Sequence, residues 1–203
     1  SGIVYNQTYV STVDAGWVYL IQHSTGNTQM LHLDTFLLSA GGAYSFSNLL
    51  AGNYLVLAVP DTTVYGNMLP TYYGDTTQWN GASIIALSSN TSTKNIGAFE
   101  IPVLPLGSGL VTGFVVEGSS FQKVAGPGDP LKDINVSLLD KSSNIIVGHD
   151  VTDSTGQFTF PDLSSGSYYL WVDLTGVPVD VSVPSTVFDI TATDTLYDNV
   201  IVK

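Results

Sequence analysis

The sequence predicts an all-β protein built as two tandem β-sandwich modules, and three observations carry that prediction. Apolar residues alternate with small polar ones in short runs such as Tyr44-Ser-Phe46 and Phe158-Thr-Phe160, the period of half-buried strands. Turn residues punctuate these runs at intervals of roughly 8–12 positions, while no helical periodicity extends beyond two turns. One compound pattern also occurs twice.

That pattern is a glycine, an aromatic pair, a leucine, a second glycine and a tyrosine. Gly42-Ala-Tyr-Ser-Phe46 precedes Leu49, Gly52 and Tyr54, and Gly156-Gln-Phe-Thr-Phe160 precedes Leu163, Gly166 and Tyr168. Each pair is 114 positions apart without a gap. Gly42 and Gly156 stand where a hairpin turn needs positive φ. Leu49 and Leu163 are placed to plug a core from the connecting loop. Upstream, Ser1-Gly-Ile-Val4 echoes Ser108-Gly-Leu-Val111, and Gly16-Trp-Val-Tyr-Leu-Ile21 echoes Ile134-Asn-Val-Ser-Leu-Leu139.

A length of 203 residues accommodates either one large β-domain or two of about 100 residues each. The repeat favours two, 1–103 and 106–203. Between them, Ile101-Pro-Val-Leu-Pro-Leu-Gly107 reads as a short, semi-rigid linker. The first module carries an aromatic-rich insertion over 64–95. The second carries its extra loop early, over 119–133, rich in glycine and proline.

Only 11% of residues are charged, and Ser, Thr, Asn and Gly take over the surface role. These side chains compete with the helical backbone for hydrogen bonds, which favours strands and turns. Five lysines, no arginine and 17 acidic residues give a net charge of −12. That charge repels phosphate backbones and anionic lipid, so nucleic acid and membrane surfaces are expected to be poor partners and no membrane insertion is expected. The absence of arginine removes the bidentate clamp for carboxylate and phosphate ligands. The absence of cysteine removes disulfides and thiolate zinc sites. No run reaches the roughly 20 apolar residues of a membrane-spanning helix. No secretory leader is present, and the start at Ser1-Gly2 reads as a mature or excised fragment.

At this point the residues carry a family likeness. Gly109-Leu-Val-Thr-Gly113, Leu131-Lys-Asp-Ile-Asn-Val-Ser-Leu138, Thr152-Asp-Ser-Thr-Gly-Gln-Phe-Thr-Phe160 and Leu163-Ser-Ser-Gly-Ser-Tyr168 resemble the carboxypeptidase regulatory-like domains. They also resemble the Cna protein B-type repeats of bacterial surface proteins. The likeness covers nearly all of the second module and the central half of the first. Leu69-Pro-Thr-Tyr-Tyr-Gly74, leading to Trp79 and Ala82, looks like a variant found in secreted proteins of the Bacteroidetes. The resemblance implies Ig-like, prealbumin-like sandwiches acting as spacer, adhesin or accessory modules in secreted or cell-surface bacterial proteins. It implies no peptidase activity. Cna B-type repeats often hold a Lys–Asn isopeptide bond with the lysine on the first strand. Here Gly2 to Tyr5 and Gly109 to Val116 contain no lysine, so no such bond is expected.

Catalytic patterns are missing from the sequence. His23, His32 and His149 show no metal-binding spacing, and no Gly-x-Ser-x-Gly elbow nominates a nucleophile. Fifteen scattered aspartates single out no acid–base pair. The expectation is therefore a non-enzyme. The composition admits calcium: Asp150, Asp153 and Asp162 bracket one hairpin, Asp189, Asp194 and Asp198 crowd the final strand pair, and all offer hard oxygen ligands. The same residues suit Asx-turns, which satisfy nearby backbone N–H groups. Tyr65, Tyr72, Tyr73 and Trp79 cluster in the first module's insertion. Such rings amid Gly, Asn and Thr suit stacking on sugar faces, and equally suit completing a core or an inter-module contact.

The sequence thus supports a monomeric, non-catalytic spacer pair whose partners are neighbouring domains of the same polypeptide. The alternative is a carbohydrate-binding or adhesive module that holds polysaccharide or glycoprotein on the exposed aromatics of the first module.

Overall fold

A computed structural model describes residues 1–23, 30–118, 128–176, 187–191 and 195–202, the last stretch as backbone only. Among the described residues all regular structure is β except one 3₁₀ turn, Trp79–Gly81. Parts of two loops read from the sequence, residues 24–27 beside His23 and 119–127 of the second module's early loop, lie outside the described residues. The chain divides into two compact units, one built from Ser1–Ile101 and the other beginning at Pro102.

The first unit contains β1 (Gly2–Asn6), β2 (Gly16–Gln22), β3 (Leu31–Leu37), β4 (Ala43–Tyr44), β5 (Gly52–Pro60), β6 (Thr71–Tyr72), β7 (Ile85–Leu87) and β8 (Ile96–Ala98). Its smaller sheet has the order β4-β1-β8, with β1 and β8 parallel. Its larger sheet runs β3-β2-β5-β6, and β7 pairs with the other end of β5. Alternation along β2 and β5 makes two apolar faces. Val18 and Leu20 stand opposite Ala58 and Val56, and these four join Val4, Tyr44, Tyr54 and Ile96 in the main core. Ile21 opposite Leu55 belongs to a second cluster on the other face, with Leu57 and Tyr72.

The second unit contains β9 (Gly109–Glu117), β10 (Asn135–Asp140), β11 (Ile146–Val151), β12 (Gln157–Leu163), β13 (Gly166–Asp173), β14 (Phe188–Ile190) and β15 (Thr195–Val202). Its sheets are ordered β12-β9-β15 and β11-β10-β13-β14, with β9 and β15 parallel. Replacing β1–β5, β7 and β8 by β9–β15 reproduces the connectivity of the first unit; β6 has no counterpart among the described residues. Val136 opposite Val172 and Leu138 opposite Leu170 are buried here, as Val18/Ala58 and Leu20/Val56 are in the first unit. Even the bulge recurs, between Leu20 and Ile21 and between Leu138 and Leu139.

Register identifies the equivalent residues, and it corrects one sequence echo. Val4 donates to the Gly42 carbonyl, and Val115 donates to the Gly156 carbonyl. Val13 donates to Val4, and Leu131 donates to Val115. Val4 therefore corresponds to Val115, and Ser1-Gly-Ile-Val4 corresponds to Thr112-Gly-Phe-Val115. The echo with Ser108-Gly-Leu-Val111 is displaced by four residues. Both segments read small-Gly-apolar-Val-like, so local composition alone gave no way to choose between them. The echo of Gly16–Ile21 with Ile134–Leu139 holds in register.

Gly42 and Gly156 adopt φ of 64° and 77°. A Cβ on either would lie 2.6 Å from the Val4 carbonyl oxygen or 2.7 Å from that of Val115. Only glycine fits these corners.

Candidate functional site

The insertion that carries the predicted aromatic site folds back on the first unit. Tyr73 N–H donates to the Val56 carbonyl at 2.8 Å, and Leu69 N–H donates to Phe99 at 2.8 Å. A tight turn follows, with Tyr72 N–H on the Thr76 carbonyl at 2.7 Å and positive φ at Gly74 and Asp75. Asp75 fastens this turn to the sandwich. One carboxylate oxygen accepts the Gly97 N–H at 2.8 Å, and the other accepts the Tyr9 hydroxyl at 2.7 Å. Desolvation first, then the Asp75 hydrogen bond and charge, pushes the Tyr9 phenol up to about 12.

The four predicted rings are divided between two faces. Tyr72 is buried in the outer cluster against Ile21, Leu55 and Leu57, and Trp79 packs on the same cluster. Tyr65 and Tyr73 pack instead against the main core. The Tyr65 hydroxyl donates to the Asp14 carboxylate at 2.5 Å, and Lys94 Nζ lies 5.3 Å above the Tyr73 ring. Adjacent residues on a strand point to opposite faces, so the Tyr72-Tyr73 pair is split by the pleat. The insertion covers the apolar outer face of the larger sheet, and its rings do not form one exposed platform for a sugar.

The three predicted metal ligands are likewise used locally. Asp153 accepts from Thr155 N–H, Thr155 Oγ1 and Gln157 N–H at 2.7, 2.7 and 3.0 Å. The Thr155 hydroxyl and then these backbone donors hold its carboxyl below the usual carboxylate range. Asp150 accepts the Thr159 N–H at 2.7 Å and its neighbour Val151 N–H at 2.8 Å. Asp162 supplies a left-handed residue (φ 58°) at the bulge of β12, and its backbone carbonyl accepts from Gly107. Among the described residues no three His, Asp or Glu side chains gather as a metal site would need. Asp153, which accepts the N–H two residues on, makes the Asx-turn that the sequence allowed for all three.

The histidines also stay apart. His32 is exposed, within 2.9 Å of Thr35 Oγ1 and edge-on to Tyr19. His149 stands on β11 with Nε2 3.2 Å from Asn135 Oδ1, and desolvation lowers it to about 4 despite the opposing charge of Asp150.

One feature escaped the sequence reading. A cleft of about 710 Å³ opens in the first unit between Tyr44–Leu49 and Ser88–Ser92, with Leu20 and Val56 on its floor. Its walls are hydroxyls, amides and apolar groups, with Lys94 at one end and no carboxylate or imidazole among the lining side chains. It can hydrogen-bond and bury, but it holds no acid–base pair. The serine- and threonine-rich run over 88–93 is the only sequence signal for it, and such a run reads as an ordinary loop.

No protein-family model matches the chain. Over 153 residues, 74% of the chain, it is 28% identical to Colossin-A of Dictyostelium discoideum, and it spans about 1% of that protein's length. Among solved structures it is similar to the minor pilin GBS52 of Streptococcus agalactiae, at 18% identity and a TM-score of 0.38, covering 96% of this chain and 85% of that one. The shaft pilin SpaA of Lactobacillus rhamnosus GG gives 8% identity and a TM-score of 0.34, covering 99% and 96%.

Proposed function

We propose that the chain is a pair of non-catalytic structural modules within a larger exported or cell-surface polypeptide, spacing or supporting the domains attached to it. One observation carries this reading: the two units repeat a single seven-strand connectivity, down to the same bulge and the same glycine corner. A unit copied in tandem with its framework intact and its loops diverged is what a spacer requires, because length is gained by repetition. The distribution of polar groups agrees. Asp14, Asp75, Asp140, Asp150 and Asp153 all accept hydrogen bonds that close turns or tie loops down.

The chain's similarity to a 1% portion of the length of Colossin-A supports a place in a long polypeptide. The net charge of −12 suits a surface that stays soluble and unassociated. The test is a turnover screen of the intact chain against peptide, ester and glycoside substrates. The reading expects no saturable rate on any of them. A saturable rate that survives repurification would overturn it.

A further inference from the structure

Three Asn-x-Ser/Thr triplets occur in the chain: Asn6-Gln-Thr8, Asn90-Thr-Ser92 and Asn135-Val-Ser137. None has proline in the middle, so each meets the sequence rule for an N-linked oligosaccharide. Triplets this short arise by chance in a chain rich in Asn, Ser and Thr. Placement in the fold is what separates an acceptor from a coincidence, because a bulky sugar has to stand on a surface loop.

Two of the three are built into the framework. Asn135 lies on β10 between β11 and β13, opposite Val151 and Asp173, with its Oδ1 3.2 Å from His149 Nε2. A sugar on its Nδ2 would press on all three flanking side chains. Asn6 ends β1, and its amide closes a turn. Its Oδ1 accepts the N–H groups of Val10 at 2.9 Å and Ser11 at 3.1 Å, and its Nδ2 donates to Thr8 Oγ1 at 2.9 Å. The amide to be modified and the hydroxyl that completes the motif are therefore bonded to each other. Asn90 differs from both. It stands between β7 and β8 in the irregular stretch 88–95, and its side chain is exposed, as are those of Ser89 and Ser92. Among the described residues no hydrogen bond engages its amide, so a substituent there costs the fold no contact.

We infer that Asn90 is the N-glycan acceptor of this chain, and that Asn6 and Asn135 are not. The group transferred is an oligosaccharide carried on a lipid-linked diphosphate. Asn90 Nδ2 forms a bond to the anomeric carbon of the sugar, and the bond from that carbon to the diphosphate oxygen breaks. The diphosphate leaves on its lipid, and one amide proton passes to a base of the transferase; nothing is oxidised or reduced. The product adds a bulky, neutral, hydrophilic group to a surface on which only 11% of residues are charged. The inference rests on the exported reading proposed above, because N-linked sugars belong to surface loops of secreted chains.

The experiment secretes the full chain from a eukaryotic host behind a cleavable leader. The folded product is treated with peptide N-glycosidase in heavy-oxygen water, which turns every occupied asparagine into a labelled aspartate, and its peptides are weighed. The label should appear at Asn90 in most chains and at Asn6 and Asn135 in few. Asn90→Gln and Ser92→Ala should each abolish the glycan at this position. Both substitutions are exposed, so the thermal midpoint of the deglycosylated variants should stay within about 3 °C of the deglycosylated parent. A bare Asn90 in the folded, secreted chain would overturn the inference. So would labelling of Asn6 or Asn135 equal to that of Asn90, or a glycan at Asn90 that persists in Ser92→Ala. Because the leader imposes export, these results leave the spacer reading untouched, and the turnover screen tests that reading separately.

Discussion

Tyr54 and Tyr168 make the same hydrogen bond in the two units: each hydroxyl donates to the backbone carbonyl four residues earlier, Leu50 at 2.6 Å and Ser164 at 2.8 Å. Each ring is buried at the start of the central strand of its larger sheet, and the bond anchors the loop entering that strand. Tyr54→Phe and Tyr168→Phe keep the ring and remove the donor. Each should cost about 1 kcal/mol in urea-denaturation free energy, with the two losses adding.

The glycine corners separate strain from collision. Gly42→Ala meets both the left-handed φ and a carbonyl oxygen 2.6 Å from the new Cβ. Gly41, at φ 89°, has nothing within 4 Å of its Cβ position. Gly41→Ala should therefore cost about 1 kcal/mol of backbone strain alone. Gly42→Ala should cost clearly more, about 2–4 kcal/mol, and Gly156→Ala should match it. Chemical denaturation of the three variants checks the order.

His149 makes the second unit sensitive to mild acid. Burial lowers its folded value from 6.5 to about 4, so the unfolded chain binds the proton first as pH falls. The stability this contributes is complete above about pH 6.5 and is lost progressively as pH falls to about 4. His149→Gln should flatten that part of the stability–pH curve, measured by urea midpoints at half-unit intervals.

Asp140 acts in a lower window. The Ser142 hydroxyl, then the Ser143 backbone N–H and hydroxyl, lower its carboxyl to about 2. Its contribution is present above the unfolded value of 3.8 and disappears as pH falls through about 2. Asp140→Asn should remove the loss between pH 4 and pH 2 and leave the His149 slope unchanged.

Trp79 distinguishes packing from ligand contact. It packs, half-buried, on the outer cluster around Tyr72, so Trp79→Ala should lower stability by about 1–3 kcal/mol. Calorimetric unfolding of the variant checks this.

How much of this was legible depended on the range of the interaction. Phe158-Thr-Phe160 declares a strand because alternation is a local property. Gly42 and Gly156 declare corners because only glycine tolerates φ > 0 there without strain. The pairing partner of Val4 was not legible: Gly2-Ile-Val4 matches Gly109-Leu-Val111 as well as Gly113-Phe-Val115, and only hydrogen bonds to Gly42 and Gly156 decide between them. The choice between platform and packing for the aromatic insertion was not legible for a similar reason. An apolar outer face on β2 and β5 makes their runs continuous rather than alternating, and what covers that face is chosen by tertiary packing. The cleft was invisible because its walls, Tyr44–Leu49 and Ser88–Ser92, lie far apart in the chain and meet only through folding.

The central claim is that two separately paired units share one strand plan, with Val4 in the place of Val115. Cross-strand nuclear Overhauser contacts in the isotope-labelled chain test it most directly. The account predicts that the Val4 backbone contacts Ile96 and Gly42, and that Val115 contacts Val200 and Gly156. Contacts joining Val4 to the strand over 195–202, or placing Val111 beside Gly156, would contradict it.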